Sequence, residues 1–99
     1  MIRSFADKAT QRLFRDGTCP ASWRSIEAVA LRKLDMVDAA TRLDDLLSPP
    51  GNRLEALRGD REGSYSIRIN EQWRLCFRWD DGDAFEVEQA FDRDRASSL

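Results

Sequence analysis

Six arginines, at positions 53, 58, 61, 68, 74 and 78, fall within the stretch 49–79, set among hydrophobic residues that alternate with period two. A guanidinium stays charged at any physiological pH and can grip a phosphate with two donors at once. Strand alternation puts Arg74 and Arg78 on one face and Arg68 on the polar side of the neighbouring strand. On a sheet such a set is a plausible nucleic-acid surface, although the spacing alone favours ordinary solvated sheet residues. RNA can be cut without metal if a base takes the 2′-OH proton, an acid protonates the leaving 5′-oxygen, and cations offset the charge of the phosphorane-like transition state. Arginine serves the last need well and the first two poorly.

Other chemistry-bearing residues read more plainly. There is no histidine, and the two cysteines, Cys19 and Cys76, lack metal-ligand spacing, so a zinc site is not expected. Two reduced thiols are the simpler reading. Asp80, Asp81 and Asp83 suit a solvated hairpin tip, Glu86 and Glu88 an outward strand face, and Gly59 and Gly63 a turn without the strand-to-helix setting of a phosphate loop. Trp73 and Trp79 share their phase with Leu75 and Phe77, which marks them as core.

The chain has 99 residues and a net charge of −2, an unpromising value for a nucleic-acid binder until it is divided. Residues 1–50 carry +1, residues 51–79 carry +2 and residues 80–99 carry −5. Positive potential is therefore local, and a protein so mildly charged needs something beyond counterion release to bring it to RNA. With 41% hydrophobic residues the chain can build one core, and its length favours a single domain over 1–91 with a flexible tail at 92–99. No apolar run is long enough for a membrane span and Met1-Ile2-Arg3-Ser4-Phe5 has no signal-peptide core, which makes the cytoplasm the expected location.

The elements that would position these residues follow from periodicity. Ile2 to Phe5 suits a short first strand, and Ala6 to Arg15 a helix with Leu13 and Phe14 inward, stopped by Asp16-Gly17. From Ser22, a candidate N-cap, to about Leu47 runs one long amphipathic pattern with Ile26, Val29, Ala30, Val37, Ala40 and Leu43 on a stripe, ended by Ser48-Pro49-Pro50-Gly51. The period then becomes two: strands are expected at Arg53 to Leu57, through Tyr65, Ile67 and Ile69, through Trp73 to Trp79, and last through Phe85, Val87, Gln89 and Phe91. Two helices followed by an antiparallel meander make an α+β fold, with the helices covering one face of the sheet.

The same stretch resembles the HigB-type toxins, plasmid-maintenance killer proteins of the RelE/ParE superfamily. Pro49-Pro50-Gly51-Asn52-Arg53-Leu54, the Arg58-Gly59-Asp60-Arg61 turn with Gly63, and Ser66-Ile67-Arg68 followed by Asn70 and Trp73-Arg74 carry the likeness. The resemblance implies a RelE-like fold and a toxin that cuts messenger RNA in the ribosomal A site without metal or other cofactor, leaving a 2′,3′-cyclic phosphate and a 5′-hydroxyl. It implies a helix-turn-helix antitoxin of HigA type as partner, ribosome and mRNA as targets, and operator DNA reached only through the antitoxin. Arg58 and Arg74 stand where the family lines its cleft, with Arg53, Arg61, Arg68 and Arg78 as further RNA contacts. The family's usual Asp-Tyr-His ending is replaced by Phe91, Asp92 and Arg93. Asp92 and Arg93 are then the remaining catalytic candidates, Arg93 able to hold phosphate but a poor acid. The expected site is a solvent-accessible cleft on which Arg58, Arg74 and Arg93 converge. A non-catalytic antitoxin-binding homologue and a ParE-like gyrase inhibitor are the alternatives.

Overall fold

The computed structural model describes residues 1–57, 59 and 62–91. The first helix, α1 (Lys8–Asp16), begins where Asp7 accepts a hydrogen bond from the Thr10 amide at 3.0 Å. It ends at Gly17, whose φ of 74° lets its N–H turn back onto the Leu13 carbonyl. Thr10 and Leu13 are the residues of α1 that are fully buried.

The long pattern expected from Ser22 to Leu47 is not one helix. A 3-10 turn, Ala21–Ile26, precedes α2 (Glu27–Ala39), and Ser22 caps neither. The chain becomes extended at Ala40 and re-enters a 3-10 turn at Leu43–Leu47. Asp45 causes the break: its carboxylate accepts from the amides of Thr41 at 3.0 Å and Arg42 at 3.1 Å, offering the backbone a fresh start that competes with the next α-helical turn. These bonds also hold the Asp45 carboxyl below its ordinary pKa. Hydrophobic spacing survives the break because Ala40 and Leu46 stay buried on either side.

Four strands, β1 (Glu55–Ala56), β2 (Ser64–Arg68), β3 (Trp73–Asp80) and β4 (Asp83–Phe91), form an antiparallel meander in sequence order. The β1 strand is shorter than the expected Arg53 to Leu57 because Arg53 adopts a left-handed conformation, φ 47°, and closes a 3-10 turn over Pro50–Asn52. At the other edge, Ile2 and Phe5 make isolated parallel bridges to Ala84 and Val87. Asp38 of α2 accepts from the Ile2 amide, while Asp83 takes both the Arg3 guanidinium and the N-terminal ammonium.

One face of the sheet makes the core. Leu13, Ala30, Leu34 and Val37 of the helices meet Ile67, Leu75, Phe77 and Val87, all at or near complete burial. Trp73 and Trp79 pack at its margin as their phase predicts, Trp73 edge-on to Trp23 and to Phe91. The last strand departs from regular alternation. Cys76 and Arg78, two residues apart on β3, pair with Glu88 and Phe85, three apart on β4, and Glu86 takes up the extra residue with φ 54°. Val87 and Gln89 remain on the core side, but Phe85 is carried to the opposite face. No helix among the described residues is long and apolar enough to cross a membrane.

Candidate functional site

The face of the sheet away from the helices can be assembled from register. In one row Ser64 of β2, Arg78 of β3 and Phe85 of β4 stand side by side; in the next, Glu55, Ser66, Cys76 and Glu88; in the third, Arg68, Arg74 and Ala90. Three of the predicted arginines, at 68, 74 and 78, thus share one face, as alternation requires. Arg74 and Arg78 are four residues apart on β3, about 13 Å along the strand. Arg58, Arg61, Asp92 and Arg93 lie outside the described residues.

Arg74 does not stand in an open cleft. Its relative exposure is 6%, and its Nε donates to the Ser66 hydroxyl at 2.8 Å. Its Nη2 donates to the Arg53 carbonyl at 2.8 Å and to the Ser66 carbonyl at 3.3 Å. These acceptors fix the plane of a forked cation, which is the pre-organisation that a transition-state charge needs. They also relieve the crowding with Arg68, directly across on β2. Arg53 itself is exposed and contributes its backbone to this arrangement. Arg78 is of another kind, exposed, with its guanidinium 4.9 Å from the centre of the Phe85 ring and its Nε 3.5 Å from a Glu86 carboxylate oxygen.

Two residues that periodicity did not single out as functional support this end of the sheet. Asn52 is completely buried, and its side-chain amide donates to the carbonyls of Leu46 and Ser48. Its Oδ1 accepts from the ammonium of Lys33, which is buried on α2 and whose pKa is lowered chiefly by that burial and further by Arg32. The Ser48-Pro49 peptide is cis, and the amides of Asn52 and Arg53 bond back to Pro49 and Pro50. Asn52 therefore pins the turn whose next residue, Arg53, presents its carbonyl to Arg74. A buried lysine facing an asparagine 19 positions away leaves no local sign in the sequence.

Cys19 is half-buried, its thiol pKa raised by burial and by Glu27, and Cys76 is buried. Among the described residues no group of three or more Asp, Glu, Cys or His side chains is placed to hold a metal ion. The acidic tip at Asp80–Asp83 is a hairpin turn through Asp81 and Gly82, both at positive φ. Asp83 is engaged with Arg3, which lowers its carboxyl pKa.

The chain is similar to known proteins over most of its length. Toxin HigB-1 of Vibrio cholerae serotype O1 is 43% identical over 91 residues, covering 88% of this chain and 93% of that protein. Endoribonuclease HigB of Proteus vulgaris is 35% identical over 86 residues, covering 86% and 91%. A solved YoeB/ParE toxin from Agrobacterium tumefaciens superposes with a TM-score of 0.47 and 17% identity over 90% of this chain and 99% of its own. The family described as the RelE-like toxin HigB of type II toxin-antitoxin systems matches residues 3–92, and the chain belongs to that family of HigB-like toxins.

Proposed function

We propose that the protein acts as a metal-independent endoribonuclease that cuts messenger RNA on the ribosome, in the cytoplasm, and is silenced by a helix-turn-helix antitoxin of HigA type. The observation that carries the reading is the forked guanidinium of Arg74, fixed by Ser66 and Arg53 on the same sheet face as Arg68 and Arg78. In the reaction a 2′-oxygen attacks the adjacent phosphorus and the bond to the 5′-oxygen breaks, giving a 2′,3′-cyclic phosphate and a 5′-hydroxyl. Arg74, with Arg58 and Arg93 as further cations, would offset the charge that builds on the phosphorane. Asp92 is the proposed base; with no histidine in the chain, proton transfer to the leaving oxygen is the weakest step. Alignment of the mRNA by the ribosome then supplies much of the rate, a contribution that can reach several orders of magnitude.

The charge distribution supports the ribosome as the co-factor in alignment. On the helical side of the sheet, Lys8, Arg12 and Arg15 of α1 line a shallow depression with Gln11 and Asp16. Among the described residues no carboxylate lies within ion-pair distance of these three cations. They suit contact with structured RNA on the side of the molecule away from the arginine face.

Primer extension on a defined mRNA with purified protein, with and without ribosomes, tests the reading. The expected result is cleavage confined to translated mRNA, with 5′-hydroxyl ends. A folded protein that binds its antitoxin yet cuts no mRNA would overturn the nuclease reading in favour of a non-catalytic homologue. Inhibition of supercoiling without RNA cleavage would replace it with the gyrase reading.

A further inference from the structure

We infer that Phe85 and Arg78 form a stacking platform for one unpaired base of the substrate RNA, at the end of the arginine face away from Arg74; the inference rests on the nuclease reading above. Its origin is the bulge. In a regular strand residue 85 would share the core side with Val87 and Gln89, whereas the extra residue at Glu86 turns Phe85 onto the face of Arg68, Arg74 and Arg78. Glu86 holds a left-handed conformation, φ 54°, which an L residue other than glycine adopts only at a cost. Bulges recur where a side chain must be re-aimed, and the side chain re-aimed here is an aromatic one.

Phe85 is the one aromatic side chain on this face among the described strand residues, and it is half-buried. The Arg78 guanidinium lies over its ring, so a flat apolar surface and a planar cation adjoin each other. Unpaired RNA bases are held on this pair of chemistries, aromatic faces and guanidinium planes, largely without regard to their hydrogen-bonding edges. Arg78 can respond to RNA because its carboxylate partner is weakly held: both side chains are exposed, at 44% and 67%, and the separation is 3.5 Å. The neighbours of the ring in its row, Arg78 and Ser64, are polar, which suits a base beside its phosphate better than the apolar centre of a protein interface. The distance of about 13 Å to Arg74 places the base to the side of the phosphate at which Arg74 acts.

The test uses the intact protein on ribosomes programmed with an mRNA carrying 4-thiouridine beside the cleavage position and a 2′-O-methyl group at it, so that binding occurs without cutting. Irradiation should couple the thiobase to the β4 peptide containing Phe85, and Phe85→Leu should abolish that crosslink. On cleavable mRNA, Phe85→Leu should slow single-turnover cutting by about tenfold to a hundredfold, while Phe85→Trp keeps the rate within a few-fold, at unchanged thermal stability. A crosslink confined to other peptides, or Phe85→Leu cutting at the wild-type rate, would overturn the platform. Loss of antitoxin binding in Phe85→Leu with cutting unchanged would overturn it too, in favour of a protein contact. If the wild-type protein cuts nothing, the nuclease reading fails while the crosslink still decides whether a base rests on Phe85.

Discussion

Arg74 and Arg78 lie on the same strand and the same face, yet the two ends of that face differ in every physical respect that bears on function. Around Arg74 the guanidinium is buried and held by the Ser66 hydroxyl and two backbone carbonyls. Around Arg78 it is exposed, resting on Phe85 and loosely paired with Glu86. A fixed cation suits a charge that appears at one point in space, whereas a mobile one suits a flexible strand of RNA. Residue type and strand phase are identical at the two ends; the loops that come over the sheet are not. The Arg53 turn reaches Arg74, and the Glu86 bulge brings Phe85 beside Arg78.

The largest effect should come from breaking the fixed end. Arg74→Ala removes the donors that satisfy the Ser66 hydroxyl, a buried group, and the Arg53 carbonyl. Hydrogen bonds from a charged donor contribute about 1.5–3 kcal/mol each and stranded partners add to the loss, so Arg74→Ala should lower unfolding free energy by about 2–4 kcal/mol. Urea denaturation measures this directly. A variant as stable as the wild type would mean that Arg74 is no more committed to the fold than Arg78, and the contrast between the ends would collapse.

What could be read in advance divides along the same line. The stop of α1 was legible because Asp16-Gly17 is a local signal, and the shared phase of Arg74, Cys76 and Arg78 was legible because alternation in β3 is unbroken. The break in the long helical pattern is not legible because apolar spacing continues through Ala40, while the carboxylate that ends it, Asp45, acts on amides that precede it in the chain. The side taken by Phe85, just before Glu86, is not legible because nothing in Ala84-Phe85-Glu86-Val87, which contains no glycine, announces a positive φ. The common face of Arg68, Arg74 and Arg78 is legible from alternation, but not the depth of Arg74, which depends on the carbonyl of a residue 21 positions away.

A second prediction concerns the turn that delivers that carbonyl. Asn52→Ala deletes the donors to Leu46 and Ser48 and leaves the Lys33 ammonium, buried on α2, without its acceptor. A loss of about 2–3 kcal/mol follows from one stranded charged group and two lost hydrogen bonds. If the turn sets Arg74, cleavage by the folded fraction should fall as well, measured under conditions where circular dichroism shows the variant native. Full activity per folded molecule would detach Asn52 from the site and leave it a stabilising residue alone.

The smallest effect expected is a gain. Gln89 lies opposite Leu75 on the core side of the sheet, directly behind the fixed end, and is 5% exposed. Neither atom of its side-chain amide has a hydrogen-bond partner among the described residues, although its backbone N–H is satisfied by Thr10. An unpaired buried amide costs about 1–3 kcal/mol, and leucine fits a similar volume with one fewer heavy atom. Gln89→Leu should therefore raise unfolding free energy by about 1 kcal/mol, part of the relief being lost to imperfect repacking. Because the fixity of Arg74 is attributed to its own acceptors rather than to the core behind it, cleavage should not change. A stability loss of similar size would show that the Gln89 amide is satisfied in the folded protein. Unchanged stability with altered cleavage would move the control of Arg74 from the Arg53 turn to the core, and the distinction between the two ends would have to be drawn from behind the sheet.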